Sequence, residues 1–372
     1  MRLRICLALF VAALLGTNLT AETPATKVPL IYCTDLFHPH DDPDDHFDLA
    51  TIYALPEVQV LGIVLDQGAN QEKRPGNIPV SQLNALTGRK VPTAIGLSQA
   101  LRNPQDTGQD QPEPYQAGVR MILESLRSSP EPVTILTVGS VRDVTAAFYR
   151  EPELFRQKVR RIGIYIGEAS DETFVEYNVG LDPQAYVGLM RSGLPIYWLP
   201  CFDGGIWQNR GHASFWQASH ADLLRQAPPE LVQYFIYALE RDTSDPMAFV
   251  RAAVDPVRQQ RLFEQTRNLW CTATFAVLLG RDLQLVNGKY QTVPRKPARE
   301  IDLSLTNALF QFEPVDVTIT DTGVVRYGKG PGSHTVWLFK IRDTANYARG
   351  MTEATAALLQ EFPIAPSEES QR

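Results

Sequence analysis

The feature that most constrains the fold is an alternation of short apolar runs with helix-like segments, from Val28 to about Phe202. The apolar runs are rich in β-branched residues and bounded by Gly, Pro or Asp, which is typical of buried strands. The intervening segments carry apolar residues at three- and four-residue steps, which indicates helices. Repetition of this kind predicts an α/β fold, a doubly wound and mostly parallel sheet with helices on both faces.

The predicted elements of this first part fall into two sets. The strands are Val28–Cys33, Val58–Leu65, Val91–Ile95, Val133–Val138, Ile162–Ile166 and Ile196–Leu199. The helices are Phe47–Leu55, Val80–Leu86, Tyr115–Leu126, Val144–Tyr149, Glu153–Val159 and Asp182–Met190.

The rest of the chain is more helical at first and strand-like again near its end. Its predicted helices are Phe215–Leu224, Pro229–Glu240, Pro246–Ala253, Arg258–Thr266, Thr272–Leu279 and Ala345–Leu359. Its predicted strands are Val315–Ile319, Gly323–Tyr327 and Thr335–Ile341. Because no linker or repeat separates these parts, we expect a single domain over residues 28–362, followed by a polar tail at 363–372.

The first 21 residues resemble a secretory signal peptide, with Arg2 and Arg4 ahead of the apolar stretch Ile5–Leu15. We therefore expect export to the periplasm or the extracellular space, with residues 22–27 as a short linker; an uncleaved anchor is the alternative. The net charge of -7 makes nucleic acid and anionic lipid unfavourable partners. The cysteines left after cleavage, Cys33, Cys201 and Cys271, are odd in number, so at most one bridge could form.

Five carboxylates follow the first predicted strand within eleven residues: Asp35, Asp41, Asp42, Asp44 and Asp45. The last two stand where the first helix begins, and the helix dipole favours anions there. Carboxylates at the carboxyl end of a first strand lie where open α/β sheets bind ligands. A cluster of this density needs a cation or a shared proton, although helix capping explains any single Asp in this place.

His38, His40 and His46 lie in the same stretch and raise the alternative of a zinc or iron site. His38 and His40 flank a proline, and no further Cys/His pair has metal-ligand spacing. Since carboxylates dominate the potential donors, a hard cation is favoured.

At this point the chain resembles the nucleoside hydrolases of the inosine-uridine-preferring superfamily. The resemblance begins with Thr34-Asp35 and the pair Asp44-Asp45, in the variant Asp-Pro-Asp-Asp of a divergent branch with about three inserted residues. It continues through the segments Leu65–Asn70, Val91–Gly96, Val133–Gly139, Asp143–Ala147, Glu176–Asn178 and Asp182–Pro183.

The resemblance implies a role for each matching residue. Asp35 would be the base that activates a calcium-bound water. The calcium ligands would be Asp35, Asp45 and the backbone carbonyl of Val138. Ribose hydroxyls would be bound by the remaining residues, Asp44, Asn70, Glu176 and Asn178. It further implies a small ribosyl substrate and assembly as a homodimer or homotetramer.

The late segment departs from the family pattern. The family opens a helix with an Asp that completes the calcium shell, whereas this chain has Trp270, Cys271 and Thr272 in the corresponding order. Trp270 and Cys271 fit the side of the leaving base, but no carboxylate follows them. Asp245 could supply the missing metal ligand; the plainer interpretation of Asp245-Pro246 is a helix N-cap.

Two functional hypotheses follow. The first is an exported hydrolase that uses a metal-activated water to cleave the N-glycosidic bond of a ribonucleoside or related ribosyl compound, since a carboxylate-rich pocket stabilises an oxocarbenium-like transition state. The second is a nucleoside- or sugar-binding protein of the same fold that has lost catalysis with its calcium site. Hydrolysis of an ordinary glycoside by two carboxylates is a third possibility, which depends on their separation.

Overall fold

The structure is a computed structural model that describes residues 27–296, 302–329 and 335–366. The predicted signal peptide and the last six residues of the predicted tail lie outside the described residues. Among the described residues, no helix has the length and apolar character needed to cross a bilayer.

The strands are numbered in chain order. They are β1 (Val28–Thr34), β2 (Val58–Leu65), β3 (Thr93–Ile95), β4 (Val133–Thr137), β5 (Val159–Ile164), β6 (Ile196–Trp198), β7 (Trp216–Ser219), β8 (Thr266–Leu269), β9 (Arg281–Val286), β10 (Lys289–Pro294), β11 (Phe310–Ile319), β12 (Val325–Lys329) and β13 (Thr335–Ile341).

The α-helices are numbered in the same way. They are α1 (Asp44–Ala54), α2 (Asn70–Lys73), α3 (Asn77–Thr87), α4 (Ala117–Ser128), α5 (Arg142–Arg150), α6 (Pro152–Lys158), α7 (Tyr177–Leu181), α8 (Pro183–Met190), α9 (His220–Leu224), α10 (Pro229–Leu239), α11 (Pro246–Arg251), α12 (Pro256–Phe263), α13 (Ala273–Leu278) and α14 (Tyr347–Gln360).

A nine-stranded sheet in the order β12-β11-β13-β6-β5-β4-β1-β2-β3 forms the centre of the described chain. The strands from β13 to β3 pair in parallel, while β11 and β12 pair antiparallel at one edge. The order of the first six strands reverses between β4 and β1, so the sheet is doubly wound and these two strands form its topological switch point. The predicted α/β fold is confirmed.

Two apolar cores cover the two faces of the sheet. One contains Phe47 of α1, Phe235 of α10 and Phe275 of α13, and the other contains Ile122 of α4 and Phe148 of α5. β1 is buried along nearly its whole length because helices cover both of its faces, which explains its continuous apolar sequence.

One predicted element is wrong. The segment predicted as the helix Phe215–Leu224 is strand β7 followed by the short helix α9, because β7 pairs antiparallel with β8. The β9–β10 hairpin was not predicted either; its turn at Asn287-Gly288 is a typical hairpin signal. The three cysteines of the described chain are free and buried.

His220, the first residue of α9, gives the fold a defined pH dependence. Its ring is fully buried against Phe47, with a centroid distance of 5.4 Å. Burial, with a smaller effect of the Arg267 charge, lowers the pKa of His220 to about 4 from 6.5. In the unfolded chain this imidazole takes up its proton at higher pH than in the folded protein, so stability is lost as the pH falls from about 6.5 to 4.

We expect His220→Gln, which cannot titrate, to remove this dependence. Between pH 7 and 4, the free energy of unfolding of the wild type should fall by about 3 kcal/mol relative to the variant, at about 1.4 kcal/mol per pKa unit. Urea unfolding of both proteins across this pH range measures the difference. Parallel stability curves for the two proteins would contradict the assignment.

Candidate active site

A cavity of about 530 Å³ opens where β1 and β4 lie side by side. Open α/β sheets bind ligands at such a switch point, and this volume is typical of small-molecule sites. Its lining consists of Asp35, Phe37, Asp41, Asp42, Asp44, Asp45, Gln67, Val138, Tyr165, Phe174, Glu176, Tyr177, Asn178, Cys201, Phe202, Ile206, Trp207, Trp270 and Cys271.

The turn after β4 brings Val138 beside Asp35. Gly139 has a φ of 81°, and a Cβ at this position would lie 2.9 Å from Asp66 Oδ2 and 3.1 Å from Asp35 Cγ. Only glycine tolerates both this backbone conformation and this close approach. The main chain after β4 can therefore pass directly beside the carboxylate that follows β1, and Val138 reaches the cavity as predicted.

Asp66 joins the ends of β2 and β4 and was missed in the sequence. Its carboxylate accepts hydrogen bonds from the backbone N–H groups of Gln67 and Ser140, both at 2.7 Å, and from Ser140 Oγ at 2.8 Å. Its position could have indicated a role, because Asp66 directly follows a predicted strand, much as Asp35 follows the first strand. Asp66 thus holds the turn that carries Val138.

Asp44 and Asp45 are the first two residues of α1, and both line the cavity with Asp35. Asp45 is 8% exposed and accepts hydrogen bonds from Thr34 Oγ1 at 2.8 Å and Tyr32 O–H at 3.5 Å. The structure therefore brings together the three carboxylates that the sequence singled out.

The outer acids of the cluster are neutralised, whereas the inner ones are not. Asp41 pairs with Arg74, and Asp42 pairs with Arg267 at 2.8 Å. No described residue forms an ion pair with Asp35, Asp44, Asp45 or Glu176; we call these four the inner acids.

Three of the inner acids have strongly raised pKa values. Desolvation in the cavity, followed by the nearby charge of Asp66, raises the pKa of Asp35 to about 7. Desolvation and neighbouring acids also raise the pKa values of Asp44 and Asp45 well above their usual range. A cation or shared protons would relieve this repulsion.

Glu176 is fixed by backbone donors at the start of α7. Its carboxylate accepts hydrogen bonds from the N–H groups of Asn178 at 2.9 Å, Gly167 at 3.0 Å and Val179 at 3.3 Å. The side-chain Oδ1 of Asn178 also lies at the cavity and has no hydrogen-bond partner among the described residues. Both residues thus present acceptor oxygens at the cavity, and those of Glu176 are held in place by the backbone.

An aromatic wall, which we define as Phe174, Phe202, Trp207 and Trp270, lines the same cavity as the carboxylates. Phe202 contacts the other three rings, with centroid distances of 5.2 Å to Trp207, 5.9 Å to Phe174 and 6.3 Å to Trp270. Phe215 packs behind the wall, 5.8 Å from Phe202. The sequence predicted Trp270 as a base contact and left Phe174 and Trp207 as candidates for the mouth of a pocket, whereas Phe202 was missed.

Glu168 ties together the two loops that carry most of the wall. Its carboxylate accepts hydrogen bonds from the N–H groups of Ser170, Asp171, Gly204 and Gly205, at distances between 2.7 and 3.1 Å. The loop with Phe174 and the loop with Trp207 are therefore joined through one buried side chain.

The late segment places Cys271 at the cavity and Asp48 behind it. Asp48 Oδ1 accepts a hydrogen bond from the N–H of Thr272 at 3.2 Å, where the φ of Thr272 is 38°. Burial raises the pKa of Asp48 to about 7, and its hydrogen bond with the Cys271 thiol opposes this shift. Asp48 lies one helical turn after Asp45 and was missed because its spacing also fits the buried face of α1.

Two predicted residues lie outside the cavity. Asn70 is exposed at the start of α2, where its side-chain amide donates to Gln67 Oε1 at 3.0 Å. Gln67, and not Asn70, lines the cavity. Asp245 is the exposed N-cap of α11 and accepts hydrogen bonds from the N–H groups of Met247 and Ala248. The structure therefore places Asp245 away from the cavity, at a helix N-cap, which is the plainer of the two interpretations of its sequence.

The histidines of the acidic stretch pack away from the cavity. His38 stacks on Tyr237 and bonds the carbonyl of Asp242, while His40 and His46 are buried near each other, with centroids 6.1 Å apart. Within the described ranges, no group of three or more His, Cys, Asp or Glu side chains is arranged to hold a metal ion.

An acidic cavity with an aromatic wall at the switch point of a doubly wound sheet defines a small-molecule-binding α/β protein. Residues 38–324 match the model of the family described as inosine-uridine preferring nucleoside hydrolase. The chain belongs to this family of N-glycosyl hydrolases, which confirms the resemblance seen in the sequence.

Curated relatives match a part of the chain. A pyrimidine-specific ribonucleoside hydrolase RihA of Citrobacter koseri is 28% identical over 188 residues, which are 45% of this chain and 58% of that protein. The same enzyme of an Enterobacter species is 29% identical over the same coverage. The match thus spans just over half the length of these relatives.

Solved structures of nucleoside hydrolases share the fold. A plant nucleoside hydrolase is 14% identical and covers 91% of this chain and 99% of its own, with a TM-score of 0.53. An inosine-guanosine nucleoside hydrolase is also 14% identical and covers 92% and 100%, with a TM-score of 0.51. These likenesses concern the fold alone.

We expect Gly139→Ala to disturb the site beyond its cost in backbone strain. The new Cβ would meet Asp66 and Asp35, so the free energy of unfolding should fall by about 1–3 kcal/mol and ligand binding should weaken. Gly193→Ala is the matched control, because Gly193 has a φ of 71° and a Cβ at this position would have no neighbour within 4 Å. Urea unfolding measures the stability of both variants, and calorimetry measures their ligand binding. If both variants lose the same stability and the same affinity, the close approach at Gly139 is not important for the site.

Proposed function

We propose that the protein hydrolyses the N-glycosidic bond of a ribonucleoside or a related ribosyl compound. The observation that carries this proposal is the meeting of Asp35, Asp44 and Asp45 with the aromatic wall across one cavity, in a chain of this family. The carboxylates suit the sugar, and the flat apolar rings suit the base.

The acids would bind the ribose and stabilise its developing charge. Asp44, Glu176 and Asn178 line one cavity and offer acceptors to sugar hydroxyls. Cleavage of an N-glycosidic bond develops positive charge on the ribose ring, and fixed negative groups in an enclosed site lower the energy of that state. The inner acids supply such charge.

Asp35 would accept the proton of the attacking water. It stands at the end of β1, next to the turn at Val138, and its pKa of about 7 suits a general base near neutral pH. Since the side-chain amide of Gln67 donates to it only at a long 3.4 Å, the carboxylate keeps acceptor capacity for a water molecule.

The resemblance implies a calcium ion held by Asp35, Asp45, the Val138 carbonyl and a third carboxylate. When bound, such an ion would lower the pKa of a coordinated water. Here Cys271 takes the place of the third carboxylate, and a buried thiol is a poor ligand for a hard cation. The residues present do not complete the implied calcium site, so the steps above do not depend on a metal.

We expect Asp35→Asn to lower kcat by about 10²–10⁴-fold, the usual effect of losing a general base. Release of free ribose from uridine or inosine measures this. Asp245→Asn is the matched control, because Asp245 is an exposed helix cap outside the cavity and Asn caps a helix equally well. Unchanged turnover in Asp35→Asn would refute the assignment.

We expect Cys271→Asp to raise the affinity for calcium by at least about tenfold, because affinity follows the number of charged ligands. Isothermal titration calorimetry with calcium alone measures this, and Cys271→Ser controls for loss of the thiol. A wild type that binds calcium as tightly as Cys271→Asp would show that the site is already complete.

The second candidate is a binding protein that retains the sugar site without hydrolysis. The replacement of the third carboxylate by Cys271 favours it. Tight binding of a nucleoside that the intact protein returns unchanged would support this role over the enzyme.

Export and assembly belong to the same proposal. We propose that the protein is exported through its N-terminal segment, on the strength of the sequence pattern at residues 1–21. Assembly as a homodimer or homotetramer stays a prediction of the resemblance, which light scattering of the purified protein would test.

A further inference from the structure

We propose that Glu168 and Asp203 are positioning residues for the base of the substrate. They hold the aromatic wall, and with it the affinity for the base, separately from the acids that would bind the sugar. This inference rests on the proposed function and names residues that determine the specificity of the same site. Two separate sets of hydrogen bonds carry it, one behind the wall and one behind the acids.

Glu168 binds the backbone of both loops that carry the wall. Its Oε1 accepts hydrogen bonds from the N–H groups of Ser170 at 2.8 Å and Gly204 at 2.7 Å, and its Oε2 accepts one from Gly205 at 3.1 Å. The side chain is buried. Since a buried carboxylate without donors would cost free energy, these charge-assisted bonds determine how the two loops meet.

Asp203 is a second buried carboxylate that connects the same two loops. Its Oδ1 accepts a hydrogen bond from Ser170 Oγ at 2.6 Å, and its Oδ2 accepts one from the N–H of His212 at 3.0 Å. Its own N–H donates to the carbonyl of Gln208 at 2.9 Å. These bonds fix both ends of the loop that carries Trp207.

Trp207 has a backbone conformation that needs such support. Its φ is 61°, a value that a residue with a bulky side chain seldom adopts, and the residue is 51% exposed. An exposed apolar ring on a strained backbone persists only where the surroundings impose it, and such strain is concentrated at ligand-binding sites. The two buried carboxylates therefore serve to present this indole ring to the cavity.

The acids that would bind the sugar are held by a different set of bonds. Asp45 accepts a hydrogen bond from Thr34 at the end of β1, and the turn after β4 is held by Asp66. Glu176 is fixed by the N–H of Gly167 and by the first turn of α7. None of these bonds involves the carboxylates behind the wall, so affinity for the base and affinity for the sugar should respond to different substitutions.

The test compares two ligands, one with a base and one without. Pseudouridine carries its base on a C–C bond, so it has no N-glycosidic bond to hydrolyse, and 1,4-anhydroribitol is the ribofuranose ring without a base. Calorimetry gives the affinity of one protein for each ligand, and the ratio of the two affinities measures what the base contributes. Because both values come from the same protein, a general loss of folded protein does not change the ratio.

We expect Glu168→Gln to lower this ratio by about fivefold, the effect of losing a hydrogen bond of ordinary strength. One carboxylate oxygen becomes an NH2 group, which cannot accept the N–H group that it faces. The affinity for 1,4-anhydroribitol should stay the same.

Ser170→Ala tests the link to Asp203, because it removes the hydroxyl that Asp203 accepts. It should lower the ratio in the same direction by a smaller factor. Ser170 is exposed, so this variant keeps the test decisive if Glu168→Gln does not fold. An unchanged ratio in every variant that folds would overturn the inference.

Asp66→Asn is the matched control. Asp66 is also a buried carboxylate that accepts backbone N–H groups, but it lies behind the sugar-binding acids. This variant should weaken the binding of both ligands by the same factor and leave the ratio unchanged. A fall in the ratio as large as that in Glu168→Gln would show that the two parts of the site are not held separately, and would overturn the inference.

Turnover of uridine and inosine separates this inference from the proposed function. Where the wild type hydrolyses either, Glu168→Gln should raise KM and leave kcat nearly unchanged, the effect of losing binding that is equal in the ground and transition states. A lower kcat with the same KM would overturn the inference and leave the proposed function standing. A wild type that binds pseudouridine but hydrolyses neither nucleoside would overturn the proposed function alone, and one that does neither would overturn both.

Discussion

The fold buries several carboxylates close together, and the repulsion among them is the main constraint on the structure of the site. Burying ionised groups without counter-charges costs free energy, and the structure offsets part of that cost locally. Thr34 donates to Asp45, backbone N–H groups hold Glu176, and Ser140 holds Asp66. The inner acids have no such counter-charge in the described chain, and their raised pKa values are typical of functional sites.

Much of this arrangement could be predicted from the sequence because it is local. Asp35, Asp44 and Asp45 follow a strand and open a helix, and a parallel sheet carries such positions to one edge. The alternation of strands and helices could also be predicted from the local sequence, and β2 was predicted with its observed bounds. Where strands pair with distant partners, as β7 does with β8, the pattern near Phe215 gave no indication of the pairing.

The errors at the site have different physical origins. Asn70 and Asp245 were assigned from short motifs that resemble those of the family, yet each is exposed and bonded to neighbours within three residues. The wall was predicted only in part, because its rings meet only after separate loops have folded. Asp48 was missed because it lies one helical turn after Asp45, on the buried face of α1, where the sequence pattern predicts a core position.

The carboxylate of Glu168 changes how binding at this cavity should be understood. By accepting four N–H groups from two loops, it fixes the separation of Phe174 and Trp207 before any ligand arrives. Little conformational entropy is then left to lose on association, so selectivity comes from a rigid template and not from a closing lid. Two remote loops thus behave as one mechanical unit, and a change in either would alter the shape offered by both.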